Sequence, residues 1–233
     1  MNLISNESTP KWKLLNRVTF SLSVLMLLII PIQVIVYIIY PPPVTVLGFF
    51  QLYKDYPLLG LISMDLLLLF NNIFMIFIYL TLFVRLYDEW SSGAVMALTI
   101  GIVGIAIYFP SNPAFEMLTL STKYFNAVGE QNMTYIAAGE ALLAGYTGTA
   151  YNIYYVLNAV ALLTFSFGIY KSHHFSKALG VWGLFAGILM LFPPTIGIVG
   201  MICSLFSLIP WIIFLILYLK QLATLCRVDG YKK

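Results

Sequence analysis

Residues 58–83 read LLGLISMDLLLLFNNIFMIFIYLTLF. A helix needs about 20 mostly apolar residues to cross a hydrocarbon core about 30 Å thick. This stretch has that length, yet it holds Asp65, Asn71 and Asn72. A carboxyl at membrane depth costs about 2.5–3.5 kcal/mol even on the milder insertion scales, so such a residue marks a candidate functional position. The stretch therefore sets two expectations: an integral membrane protein built of helices, and a polar site inside it.

The rest of the chain agrees. Of 233 residues, 61% are hydrophobic and 9% charged, with a mean hydropathy of +0.93. A soluble domain carries about 25% charged residues and needs them to cover its core. Lipid supplies no partner for backbone N–H and C=O groups, which leaves helices or a closed barrel. The alternating pattern of a barrel strand is absent. The fold class expected is all-α, an integral membrane bundle of six transmembrane helices forming a single transmembrane domain, 1–233. The spans fall at about 18–40, 58–83, 93–110, 148–170, 178–192 and 195–219. The first span is longer than the apolar region of a leader peptide and lacks a small-residue cleavage site, so it reads as retained.

Lysine and arginine set the orientation. With the N-terminus inside, ten fall on the cytoplasmic side: Lys11, Lys13, Arg17, Arg85, Lys171, Lys177, Lys220, Arg227, Lys232 and Lys233. Lys54 and Lys123 fall outside. The chain is thus expected in the cell membrane, multi-pass, with both termini cytoplasmic. Trp12, Trp90 and Trp182 are placed near the inner interface, and Tyr37, Tyr40, Tyr53 and Tyr56 near the outer one. Residues 41–57 read as an outer loop, 85–92 and 171–177 as short inner connections, and Pro193-Pro194 as an outer turn.

Residues 111–147 are too polar to span and too patterned for a plain loop. Asn112 can cap a helix with Pro113 at its first position and Glu116 in its first turn. Phe115, Leu118, Phe125 and Val128 recur on one side, opposite Glu116, Thr119 and Lys123, which is an amphipathic pattern. Gly129 breaks this helix from a second one at 132–144. The pair is expected to form a two-helix amphipathic cap between the third and fourth spans, on the extracytoplasmic face.

At 100° per residue, Asp65 and Asn72 lie about 20° apart around span two, and Tyr79 extends the stripe. Span four offers Tyr151, Tyr154, Tyr155 and Asn158 on a matching side, with Gln33 of span one within reach. Glu140, between Ile136 and Leu143, is expected to point from the cap toward this region. The ligand-binding candidates are therefore Asp65, Asn72, Tyr79, Glu140, Tyr151, Tyr155 and Asn158. The plainer account is that these groups only hydrogen-bond one another and hold helices together.

No catalytic residue, metal ligand set or cofactor emerges. His173 and His174 are adjacent in a short loop, Cys203 and Cys226 are far apart, and no nucleophile motif or phosphate loop occurs. A net charge of +3 without a dense basic patch gives no reason to expect nucleic acid. The partners expected are membrane lipids, a small or lipid-like ligand, and a second copy docking through small-residue faces such as Gly183/Gly187, Ala97/Gly101 and Gly200/Ser204.

The stretch Asn112-Pro-Ala-Phe-Glu-Met-Leu-Thr-Leu-Ser121 carries a resemblance. So do Ala137-Ala-Gly-Glu-Ala-Leu-Leu143, Thr147-Gly-Thr-Ala-Tyr-Asn152, Phe175-Ser-Lys177 and the Pro-Thr-Ile-Gly run at 194–197. Together they resemble a family of prokaryotic multi-pass proteins catalogued as a domain of unknown function, from span two onward. The resemblance implies six helices and a prokaryotic cell membrane. It brings no activity or site residue with it.

Three functions are then in play. The leading one is binding or moving a small or lipid-like ligand in an outward-facing polar cavity within the membrane. A non-catalytic scaffold or partner subunit comes second. A membrane-embedded enzyme working by carboxylate acid–base chemistry through Asp65, Glu116 or Glu140 comes third, and the chain leans away from an enzyme.

Overall fold

A computed structural model describes residues 12–129 and 131–231, with side chains as far as Thr224. Lys11, Lys232 and Lys233, and the side chains of Cys226 and Arg227, lie outside the described residues. Among those described the chain is all-α. Helices α1 (Lys13–Ile39), α2 (Val46–Asp55) and α3 (Pro57–Ser63) lead into α4 (Leu66–Ser111). Then come α5 (Ala114–Asn126), α6 (Gln131–Tyr146), α7 (Thr149–Lys171), α8 (Lys177–Leu189) and α9 (Ile198–Tyr231).

Helix α4 contains the most consequential turn. Its 46 residues would make a straight rod of about 69 Å. Tyr79 and Gly101 would then stand about 33 Å apart. They are in contact instead: a Cβ on Gly101 would strike the Tyr79 ring and the Ala161 methyl. The chain doubles back at Trp90, whose φ of −152° and ψ of 59° leave the helical region. The Trp90 ring fills the space above Gly93 and Gly168, where any side chain would collide with it. The connection expected at 85–92 is thus a turn about one residue. Beside it, His174 Nε2 stands 3.2 Å from Glu89 Oε1, and the His173 N–H donates to the same oxygen at 3.4 Å. The α4 turn and the α7–α8 connection therefore lie at the same end of the molecule.

Among the described residues, four helical stretches are long and apolar enough to cross a membrane: Lys13–Ile39, Leu66–Asn126, Gln131–Lys171 and Ile198–Thr224. Helix α8 has 13 residues and reaches about 20 Å, short of a full hydrocarbon core. Large apolar side chains lie bare along these helices, including Leu28 at 56% and Ile38 at 75% on α1, and Leu205 at 60% and Phe206 at 59% on α9. A protein in water would not leave such bands uncovered. This is a membrane protein.

Two apolar cores form. The larger joins α1, α4, α7, α8 and α9 around Leu82, Leu86, Phe165, Ile169, Phe214 and Tyr218. Small residues let these backbones close up. Gly183 faces Ser166 and Phe214, and Gly187 faces Leu163. The Gly183/Gly187 stripe is thus occupied within the chain itself. Helix α9 runs on through Pro210.

The smaller core joins α2, α3, α5 and α6 around Phe49, Phe50, Tyr53, Met64 and Met117. It corrects three expectations. Residues 41–57, read as a loop, contain α2, which Thr45 caps by accepting the Gly48 N–H at 3.1 Å. Tyr53 does not stand at an interface: it is buried and donates to the Ala114 carbonyl at 2.8 Å. Burial, with Glu116 close by, pushes its phenol pKa upward, so it remains a neutral donor. Finally, α5 turns inward the face of Ala114, Met117 and Ser121, leaving Phe115 and Val128 exposed. The small Ala and Ser side chains let α2 approach, and Ser121 donates to the Phe50 carbonyl at 2.8 Å. Gly129, with a positive φ of 73°, separates α5 from α6 as expected.

Candidate functional site

The stretch that decides the fold class does not form one helix. Helix α3 ends at Ser63, and Asp65 takes up the left-handed region, φ 60° and ψ 32°, before α4 begins. Among the described residues it is the one non-glycine with positive φ. Aspartate enters that region more readily than most residues, though it costs an L-residue roughly 1–2 kcal/mol. The break leaves the Met64 carbonyl to a side chain: Asn112 Nδ2 donates to it at 2.8 Å. The expected helical phase of Asp65 relative to Asn72 is therefore corrected, because no continuous helix joins them.

The carboxylate is held from three sides. Tyr37 Oη donates to Oδ1 at 2.5 Å and Gln33 Nε2 donates to the same oxygen at 3.1 Å, both from α1. Tyr146 Oη, at the end of α6, donates to Oδ2. Asp65 thus ties α1 and α6 to the α3–α4 break.

Below this knot lies a cavity of about 300 Å³ between α1, α4, α7 and α9. Asp65, Asn72, Tyr79, Tyr151, Tyr155 and Asn158 all line it. Six of the seven candidate residues are thus brought to one space. The seventh, Glu140, is exposed on α6 and is not among the lining residues. Helix α6 instead presents Gly139 inward, so close to Val46 and Phe50 that a Cβ would collide with them. Glu116 is exposed on α5 and likewise apart from the cavity.

The lining polar groups are mostly engaged with one another. Tyr79 Oη donates to Asn158 Oδ1 at 3.0 Å, and Asn158 Nδ2 donates to the Tyr154 carbonyl at 3.0 Å. Asn72 Nδ2 donates to the Leu68 carbonyl at 3.0 Å. Tyr155 Oη and Ser204 Oγ lie 2.5 Å apart, linking α7 to α9. Gln33 Oε1 and Asn71 Oδ1 are buried without a hydrogen-bond partner. The remaining walls are largely Ile, Leu and Met, closed by Trp211.

Sequence reasoning did not single out two of the Asp65 partners. Tyr37 follows Gln33 by four residues, so both fall on one face of α1, a signal that was legible. Tyr146 carries no such signal: it sits between Gly145 and Thr147, and only the fold brings it to Asp65.

The family model described as "Domain of unknown function (DUF4386)" matches residues 59–223, and the chain belongs to this family. No curated protein and no solved structure matches the chain.

Proposed function

We propose that this member of the DUF4386 family binds a small or lipid-like ligand inside the membrane, in the cavity beneath Asp65. The observation that carries the reading is the cavity itself. Its volume of about 300 Å³ sits at the lower end of ligand sites, which run from roughly 300 to 1,000 Å³. Its composition also fits that pattern, with mainly apolar walls and a few convergent polar groups. Helix packing on its own favours filled interiors, so a void of this size in a tight bundle calls for an occupant.

The same reading places the protein in the cell membrane as six spans. The two halves of α4 act as separate spans, and α8 is a short one. The ends at Lys13 and Trp90 then face the cytoplasm, and α2, α3, α5 and α6 form the outer cap. The ten-to-two distribution of basic residues supports that direction.

Filling the cavity tests the function. Leu68→Trp and Leu208→Trp each put an indole into the space. In native mass spectrometry from gently solubilised membranes, the wild type is expected to carry an adduct that both variants lack, while all three unfold at similar temperatures. Identical adducts, or none in the wild type, would sink the reading.

A further inference from the structure

We propose that the cavity takes a protonated amine with an apolar body, its ammonium seated at Asp65. The inference rests on the ligand-binding reading and names the chemistry of that ligand. Among the described residues that line the cavity, Asp65 is the one charged side chain. No lysine, arginine or histidine stands among them. Tyr37, Gln33 and Tyr146 each set a hydroxyl or amide N–H against its oxygens, a shell able to hold the charged form once a cation is seated. A charge at membrane depth ordinarily finds an opposite charge. Here the described lining supplies donors and no cation.

Two further features favour an organic ammonium. Tyr151, Tyr154 and Tyr155 form a continuous aromatic wall, with ring centroids 6.0 to 6.4 Å apart, and Tyr37 and Trp211 add to the lining. Aromatic faces attract ammonium groups, the more so away from water. A bound metal ion ordinarily draws several charged ligands, and among the described residues no group of three or more His, Cys, Asp or Glu is placed to hold one. Two acceptors in the lining also lack donors: Gln33 Oε1 and Asn71 Oδ1 are both buried without a partner. An alkylammonium brings N–H donors as well as charge. The Ile, Leu and Met walls then suit its hydrocarbon part.

Three probes of one shape test this: 4-phenylbutylamine, 4-phenylbutan-1-ol and 5-phenylpentanoate, titrated against the purified full chain in nanodiscs. Affinity is read from thermal-shift titration at neutral pH, with Leu68→Trp as the control for partition into lipid. The amine is expected to bind at least tenfold tighter than the alcohol, and the acid weakest. Asp65→Asn is expected to abolish the preference for the amine over the alcohol, the two then binding alike. An unfolding midpoint close to the wild type's shows the variant to be folded.

Equal affinity for all three probes in the wild type would overturn the cation assignment and leave the ligand-binding reading standing. So would no probe binding at all while the wild type still carries the adduct that Leu68→Trp loses. A stabilisation by sodium or potassium salt that Asp65→Asn abolishes, without any amine effect, would assign the site to a metal ion and overturn the proposal.

Discussion

The same helices pack in two ways at their two ends. Toward Trp90 they are dry and close. Phe165, Leu82, Leu86 and Ile169 are essentially inaccessible, and Thr19 meets Thr81 oxygen to oxygen at 2.8 Å. Toward Asp65 the bundle parts around a cavity. The residues at the seams account for the difference. Gly168 and Gly183 bring backbones together on the dry side, with an aromatic ring laid over each. At the other end, side chains with long reach (Tyr37, Gln33, Tyr146) hold α1 and α6 at arm's length on a single carboxylate. Small residues close a membrane bundle, and long polar ones prop it open.

The comparison can be broken from its packed end. Phe165→Ala removes a buried ring stacked on Tyr79 at 5.3 Å. Both folded and unfolded chains remain in lipid, so the void dominates the loss. At about 24 cal/mol per Å³ over roughly 100 Å³, that is about 2.4 kcal/mol. Unfolding in mixed micelles should show a clear drop, whereas Leu68→Ala beside the cavity should fall well short of it. Equal losses would mean the two ends are packed alike.

The backbone at Asp65 gives a smaller effect. Asp65→Gly and Asp65→Ala remove the same hydrogen bonds, but only glycine accepts positive φ freely. The alanine variant is expected to be less stable by about 1–2 kcal/mol. Indistinguishable unfolding midpoints would mean that residue 65 is not held in the left-handed region.

Tyr146→Phe is the mildest change. It removes one donor from the knot and keeps the ring. Hydrogen bonds between membrane helices average about 0.6 kcal/mol, and a loss of that order is expected by the same unfolding measurement. A loss several times larger would show α6 to be pinned chiefly by this hydroxyl.

The membrane class was legible because hydropathy is a property of runs, and runs survive any detail of packing. The gathering of Asp65, Asn72, Tyr79 and the α7 tyrosines was legible in part, since polar groups at membrane depth must face inward. The stated reason was incomplete: a continuous helical phase was assumed, and Ser63-Met64-Asp65 breaks it. Helix α2 was readable and overlooked. Thr45 before Val46, Phe49, Phe50 and Tyr53 gives a cap followed by an i, i+3, i+4, i+7 face, and all four of those residues are buried. The α5 face is set by the small Ala114 and Ser121, which let α2 approach, and side-chain bulk does not report that choice. The orientation of Glu140 depended on the rotation of α6, which a glycine contact sets and side-chain hydrophobicity does not report.

The turn at Trp90 matters for anyone mapping which side of the membrane each segment faces. Spans are usually located by inserting a reporter or a cleavage site into the loop between them. Here there is no loop to cut, and an insertion would fall on a ring wedged between Gly93 and Gly168. Residues 172–176 offer the substitute. They form a true connection at the same end, joined to the α4 turn through His174 and Glu89. A tag placed there reports the sidedness of both turns while leaving the α4 hairpin intact.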